Sequence, residues 1–345
     1  LHLRNSGIVM FRVMAVKVDA MQHCTVYVND DFRHVVMTLD PGRFLLDQIG
    51  KCFTRQTSPI WEDRSTRQEI EFLKNILGGK DEIIRETGNC PEPRFPASQI
   101  MTWLKKYPDE YRRTGHIFLL SAFMTSVLSG HVVPVDTGDG WGTNLNTCDI
   151  HAPAWSEKMI SAVSRYAKNI EDRDGVASTL AKKLGAMTHY DSPVGKVNPY
   201  FVNKYGMDSN TVVLAGTGDN PAILLGCGGT SVISLGSSYT VNGVMDKIVP
   251  SKSGEYNIFG YTPGRAMALS VFTNGSKVHD YFFEQYGYHR TNDEDWKKYA
   301  AQAGSPVLSP EEPLLLPYLM DESVPLRRSG FVYDGLKEGD AKSEI

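Results

Sequence analysis

The sequence has 345 residues, enough for two domains, because a single core rarely grows beyond roughly 250–300 residues. Hydrophobic residues make up 41% and charged residues 22%, and the formal net charge of -4 excludes a global basic footprint for nucleic acid or anionic membrane. The five cysteines are odd in number and form no C-x-x-C pair, which argues against a disulfide framework or zinc site and for free thiols in a cytoplasmic setting.

No apolar run approaches the length of a transmembrane helix. The opening, LHLRNSGIVMFRVMAVKVDA, lacks an initiator Met and a signal-peptide pattern. It reads as internal to a longer reading frame, or as the start of its ordered portion. Residues 13–18 (VMAVKV) and 24–29 (CTVYVN) predict two short strands around a Met21-Gln22-His23 turn. Residues 44–52 predict a short helix weakened by Gly50. From Ser65, apolar Ile70, Leu73, Ile76 and Leu77 recur at helical spacing, and Gly78-Gly79 end the helix. A second helix opens at Asp81 and runs to Gly88; after the loop CPEPRFPA a third runs from Ser98 through Lys106. Residues 116–128 are apolar and predicted buried, residues 138–143 (GDGWGT) read as a Gly-rich turn, and helical patterns return at 156–169, 176–185 and 197–207.

Residues 212–226 read VVLAGTGDNPAILLG. The β-branched start suits a buried strand of a parallel sheet, and Gly216 and Gly218 permit unusual backbone angles. Asn220 is placed as helix N-cap and Pro221 at the first helical position. Asp219 then sits at the carboxyl end of a strand, where open α/β sheets place ligands, or else it only helps cap the helix. Next comes TSVISLG–SSYTVNG, which predicts a β-hairpin whose tip is Gly236-Ser237-Ser238. Strands mixed with helices along the whole chain indicate the α/β class.

Asp219 and the hairpin tip lie seventeen to nineteen residues apart. A tip rich in glycine and hydroxyls can offer N–H groups and Ser oxygens to phosphate, and a nearby carboxylate can take a proton from a substrate hydroxyl. The order strand–GxGDN–helix–strand–SLGSS–strand resembles the FGGY carbohydrate kinases, and within them the xylulose kinases. QHCTVY, SPIWEDRST, PEPRFPASQI, DTGDGWGTNLNTCDI and FTNGSKVHDYF fall in the family's order, so the likeness covers about residues 13–340.

The resemblance implies an actin-like (ribonuclease H-like) fold of two domains, a sugar-binding part over 1–227 and a partial nucleotide-binding part over 228–345. It implies ATP-dependent phosphorylation of D-xylulose to D-xylulose 5-phosphate with Mg²⁺, and the charge balance adds neither a nucleic-acid nor a membrane partner. Asp219 matches the general base. His23, Arg94 and Asn220 match positions that bind the open-chain sugar, and Gly236, Ser237 and Ser238 match the phosphate-binding hairpin. The family's Gly-Gln-Gln-His-Gly turn is here Ala20-Met21-Gln22-His23-Cys24, and its Gly-Thr-Ser tip is Gly236-Ser237-Ser238. No Asp-x-Gly-Thr hairpin precedes residue 13, and no Gly-Gly adenine segment precedes Ile345, so the chain reads as a family body without its nucleotide ends.

Read without the family, His23 is a surface-turn residue, Arg94 an ion-pair partner of Glu92 or Asp63, and Asp63-Arg64 a solvated pair. Asp136 and Asp139 raise a hard-cation site, against which too few acidic ligands lie nearby, so they are read as turn residues. Other readings are a gluconate, ribulose or glycerol kinase of the same family, or a truncated sugar-binding homologue without turnover.

Overall fold

A computed structural model describes residues 5–168, 179–262, 264–303, 314–324 and 326–334. The chain divides into two compact units, Leu1–Thr230 with Gly243–Ala268, and Ser231–Asn242 with Leu269–Ile345. No helix among the described residues is long and apolar enough to cross a membrane.

The site of the first unit is built on a three-stranded sheet. Strand β1 (Ala15–Ala20) is followed by β2 (Thr25–Val28), which pairs antiparallel with β3 (His116–Leu119). Two-residue strands β4 (Val135–Asp136) and β5 (Met187–Thr188) pair in parallel. Further on come β6 (Pro193–Lys196) and β7 (Val212–Gly218), and the sheet order is β1-β7-β6. The buried β7 is parallel to β1 but antiparallel to β6, so the sheet is mixed rather than purely parallel. Register places Asp19 beside Thr217 and Ala20 beside Gly218. The turns leaving β1 and β7 therefore emerge side by side.

Three helices follow in the chain, α1 (Arg67–Leu77), α2 (Lys80–Thr87) and α3 (Pro96–Lys106), and Phe95, just before α3, packs on His23 in the turn after β1. Gly78 and Gly88 end the first two in the left-handed conformation, at φ 89° and 82°. Helix α3 begins two residues before the expected Ser98, because Pro96 takes the N-terminal position that needs no N–H. The apolar stretch 116–128 resolves into β3 and then α4 (Leu120–Ser129), two elements that a continuous apolar run cannot separate by period. One core packs Tyr27, Leu73, Ile83, Ile100, Met101 and Tyr111 between β2 and the helices.

Residues 138–143 are helical rather than a turn. The Asp136 carboxylate accepts from Asp139 N at 2.9 Å and so caps α5 (Thr137–Gly140), which runs into a 3₁₀ turn over Trp141–Thr143. Of the predicted helices that follow, Glu157–Lys168, Leu180–Leu184 and Pro199–Tyr205 are present, and residues 169–178 lie outside the described residues.

The second unit contains β8 (Ser231–Leu235) and the start of β9 (Tyr239–Met245), which form the expected hairpin. Its helix α6 (Ser276–Gln285) begins against the hairpin tip. Ser276 donates to Gly236 O through both its N–H, at 3.0 Å, and its hydroxyl, at 2.5 Å.

Candidate active site

Strand β7 ends at Gly218, and helix α7 (Asp219–Gly226) begins at once. Gly218, extended at φ -70° and ψ 157°, is itself the N-cap, so Asp219 is the first helical residue. This corrects the assignment of Asn220 as cap and Pro221 as first residue. Asn220 lies inside the first turn, and its side chain is used laterally. Its backbone N–H donates to Asp219 Oδ1 at 2.9 Å, while Nδ2 donates to Asp219 Oδ1 at 3.0 Å and to Gln22 Oε1 at 2.9 Å.

Burial raises the Asp219 carboxyl above its ordinary range, and the Asp19 carboxylate adds to that shift. Hydrogen bonds from the Asn220 side chain and the Asn220 and Gln22 backbones oppose it. A carboxylate whose proton affinity is raised in this way is better suited to accept a proton.

His23 follows Gln22 in the turn and is buried, 5% exposed, not a surface residue. It adopts φ 65°, the left-handed region that non-glycine residues resist. Its Nδ1 lies 2.8 Å from Gly142 O, and its ring packs on Phe95 with centroids 4.6 Å apart. Burial, with the nearby Arg94 charge, pushes its pKa down to about 3, so the ring is neutral. A Cβ at position 142 would lie 2.9 Å from His23 Cε1 and 2.7 Å from Phe259, so glycine is what permits this approach.

Arg94 pairs with Glu92 at 2.7 Å, not with Asp63, and Asn257 Nδ2 donates to the other Glu92 oxygen at 2.9 Å. The loop is held at Pro93, whose carbonyl accepts from Thr66 Oγ1 at 2.6 Å, Gln99 Nε2 at 3.1 Å and Ser98 Oγ at 3.2 Å. Asp63 instead accepts from Ser65 N at 2.8 Å. In the first unit Asp219 and Asn220 are hydrogen-bonded in a group with Gln22, and His23, the chain neighbour of Gln22, packs on Phe95 and feels the charge of Arg94.

Sequence reasoning missed the layer beneath. Gln22 Nε2 donates to Gly138 O at 3.3 Å. Ser121 Oγ donates to Asp139 Oδ2 at 2.5 Å, and burial with the Asp136 and Asp219 charges raises the Asp139 carboxyl well above its ordinary range. Lys17 Nζ sits 3.5 Å from Asp136 Oδ2, donates to Tyr190 O at 2.6 Å and also donates to Ala215 O. Burial pushes the Asp136 pKa up to about 7 despite Lys17. The one local signal was a lysine in the middle of the β1 pattern. The partners of Ser121 and Lys17 are remote in sequence.

Asp136 Oδ1 accepts from Asp139 N and Asp139 Oδ2 from Ser121 Oγ, whereas Asp136 Oδ2, 3.5 Å from Lys17 Nζ, and Asp139 Oδ1 are buried without a hydrogen-bond partner. Among the described residues no group of three His, Cys, Asp or Glu side chains could hold a metal ion. Magnesium is commonly held by one or two carboxylates together with substrate phosphates, so a full protein cage is not what such an ion requires.

In the second unit, Gly236, Ser237 and Ser238 form the tip between β8 and β9. A Cβ at Gly275 would lie 2.7 Å from Tyr239 N and 2.8 Å from Ser237 O and Ser238 C, so glycine lets the start of α6 close on the tip.

Residues 35–226 match the FGGY family of carbohydrate kinases, N-terminal domain. The chain belongs to the FGGY family of carbohydrate kinases. It is 32% identical to a probable D-xylulose kinase A of Aspergillus fumigatus over 283 residues, 81% of this chain and 48% of the fungal protein. The chain spans about half the length of the curated relatives it matches. Among solved structures, a xylulose kinase from Bifidobacterium adolescentis has a TM-score of 0.72 at 17% identity, covering 97% of this chain and 66% of that one. A gluconate kinase from Lactobacillus acidophilus has a TM-score of 0.71 at 16% identity, covering 97% and 61%. The fold is therefore the actin-like α/β fold of these kinases, and that fold is shared by enzymes named for different sugars.

Proposed function

We infer that this chain is the body of an ATP-dependent kinase that phosphorylates D-xylulose to D-xylulose 5-phosphate. The observation that carries the reading is the hydrogen-bonded group of Asp219, Asn220 and Gln22 at the joined ends of β1 and β7, with His23 next in the same turn. Asp219 accepts the proton of the attacking sugar hydroxyl as its oxygen bonds to the γ-phosphorus of ATP, and ADP leaves. His23, Arg94 and Asn220 hold the hydroxyls of the open-chain ketose. The N–H groups and hydroxyls of the Gly236–Ser238 tip suit phosphate oxygens. Mg²⁺, carried on the nucleotide, would neutralise phosphate charge.

The choice of D-xylulose rests on the names of the relatives near 30% identity and on the polar, hydroxyl-binding character of the group. Arg94 is already paired with Glu92, which disfavours an anionic sugar acid. Calorimetric titration of the full-length protein with D-xylulose, D-ribulose, glycerol and gluconate tests this. D-xylulose should bind most tightly. Equal or tighter binding of a competitor would move the assignment to that sugar.

A further inference from the structure

We propose that Gln22 is the positioning residue of this site, fixing the Asn220 amide so that it offers the sugar an acceptor and no donor. The inference rests on the sugar-binding reading above and goes beyond it in naming the polarity of recognition. The argument starts from a backbone carbonyl, which can only accept. Gly138 O lies 3.3 Å from one end of the Gln22 amide, so that end is the NH₂ group. The other end is then the carbonyl oxygen, and it faces the Asn220 amide at 2.9 Å. Asn220 must therefore present its NH₂ group to Gln22.

The same Asn220 nitrogen reaches Asp219 Oδ1 at 3.0 Å, so both of its N–H bonds have partners within the protein. The remaining polar atom, Oδ1, accepts. Gln22 cannot easily turn away. It is 3% exposed, and its Cγ lies where a Cβ on Gly218 would come within 2.3 Å.

His23 obeys the same logic. Gly142 O accepts from Nδ1, so the neutral ring keeps its lone pair on Nε2. Asn220 Oδ1, His23 Nε2 and the Asp219 carboxylate are all acceptors, and each is complementary to a sugar hydroxyl that donates. Arg94 is the donor of the group, and Glu92 already holds part of its guanidinium. A ligand rich in hydroxyl donors fits this set, whereas one rich in acceptors meets like polarity.

A double-mutant cycle tests the proposal, with sugar and ATP affinity measured on the full-length protein as wild type, Gln22→Met, Asn220→Ala and the pair. Methionine keeps the hydrocarbon of Gln22 and removes both polar contacts. Freed from Gln22, the Asn220 amide can turn, and D-xylulose affinity should fall about tenfold with ATP affinity unmoved. In the Asn220→Ala background the same substitution should cost less than twofold. Unmoved ATP affinity and a wild-type-like circular dichroism spectrum show that the Met variant is folded, and Gln22→Leu, which also lacks both polar ends, should lose sugar affinity to the same extent. Losses that add across the cycle, or a folded Met or Leu variant that binds sugar as wild type, would overturn the proposal. Failure of the unaltered protein to bind any of the sugars would overturn the kinase reading, and this inference with it.

Discussion

Replacing Gly218 by alanine isolates the packing that holds the site. The residue has φ -70° and ψ 157°, which alanine adopts without strain, so the added methyl group is the only perturbation in the folded state. That methyl would lie 2.3 Å from Gln22 Cγ and 2.7 Å from Cδ and Nε2. Gln22 must move, and in moving it gives up its bonds to Asn220 and Gly138. Overpacking costs about 1–3 kcal/mol, and each buried hydrogen bond about 0.5–1.5 kcal/mol. The lower entropy of an unfolded alanine returns about 0.4–1 kcal/mol. The net destabilisation is about 1–6 kcal/mol, which for a unit of this size lowers Tm by roughly 2–20 °C. Circular dichroism melts read the stability, and calorimetry on the same samples reads sugar affinity, which should weaken in parallel. A Tm within about 1 °C of wild type, together with unchanged sugar binding, would refute the account of Gln22 as pinned against β7.

The second unit is tested by Gly275→Ala, whose Cβ would press on the backbone of Ser237 and Tyr239 at 2.7–2.8 Å. It should raise the KM for ATP while leaving sugar affinity unchanged; an unaltered KM would remove the hairpin from the nucleotide site. His23 predicts an acid sensitivity. Its folded pKa of about 3 lies below the ordinary 6.5, so between those values the unfolded chain holds a proton that the folded chain refuses. Stability then falls as pH falls, by up to about 1.4 kcal/mol per pH unit from this residue. The difference in unfolding free energy between wild type and His23→Asn should therefore shift against wild type as pH drops from 6.5 towards 3. A difference that stays constant would contradict the buried neutral ring.

The turn at residues 212–226 was legible because its apolar run, glycines and acidic residue each carry a local meaning. The hairpin at 231–245 was legible by alternation. The helix start was misread because Asn and Pro preferences outweighed Gly218, whose extended backbone already places Asp219 in the first turn. Residues 138–143 were read as a turn because glycines lower helix propensity, yet the Asp136 cap and packing against Phe259 and Met187 hold them helical. His23 looked like a surface turn because nothing local shows that Phe95 and Gly142, both remote in sequence, cover it. The orientation of the Gln22 amide depends on a carbonyl 116 residues away. Local pattern carries none of these long-range partners.

The central claim is that Asp219 takes a proton from a ketose hydroxyl during transfer from ATP. It is tested most directly by sugar-dependent ADP release from the full-length protein, compared between wild type and Asp219→Asn. Asparagine keeps the size and the hydrogen-bonding oxygen but cannot accept the proton. The account predicts that D-xylulose supports turnover and that the variant loses roughly 10²–10⁴ in kcat with sugar affinity little changed. The wild-type rate should decline on acidification at a pH above that expected of an ordinary aspartate, because burial raises this carboxyl. An asparagine variant that releases ADP at a near wild-type rate would contradict it.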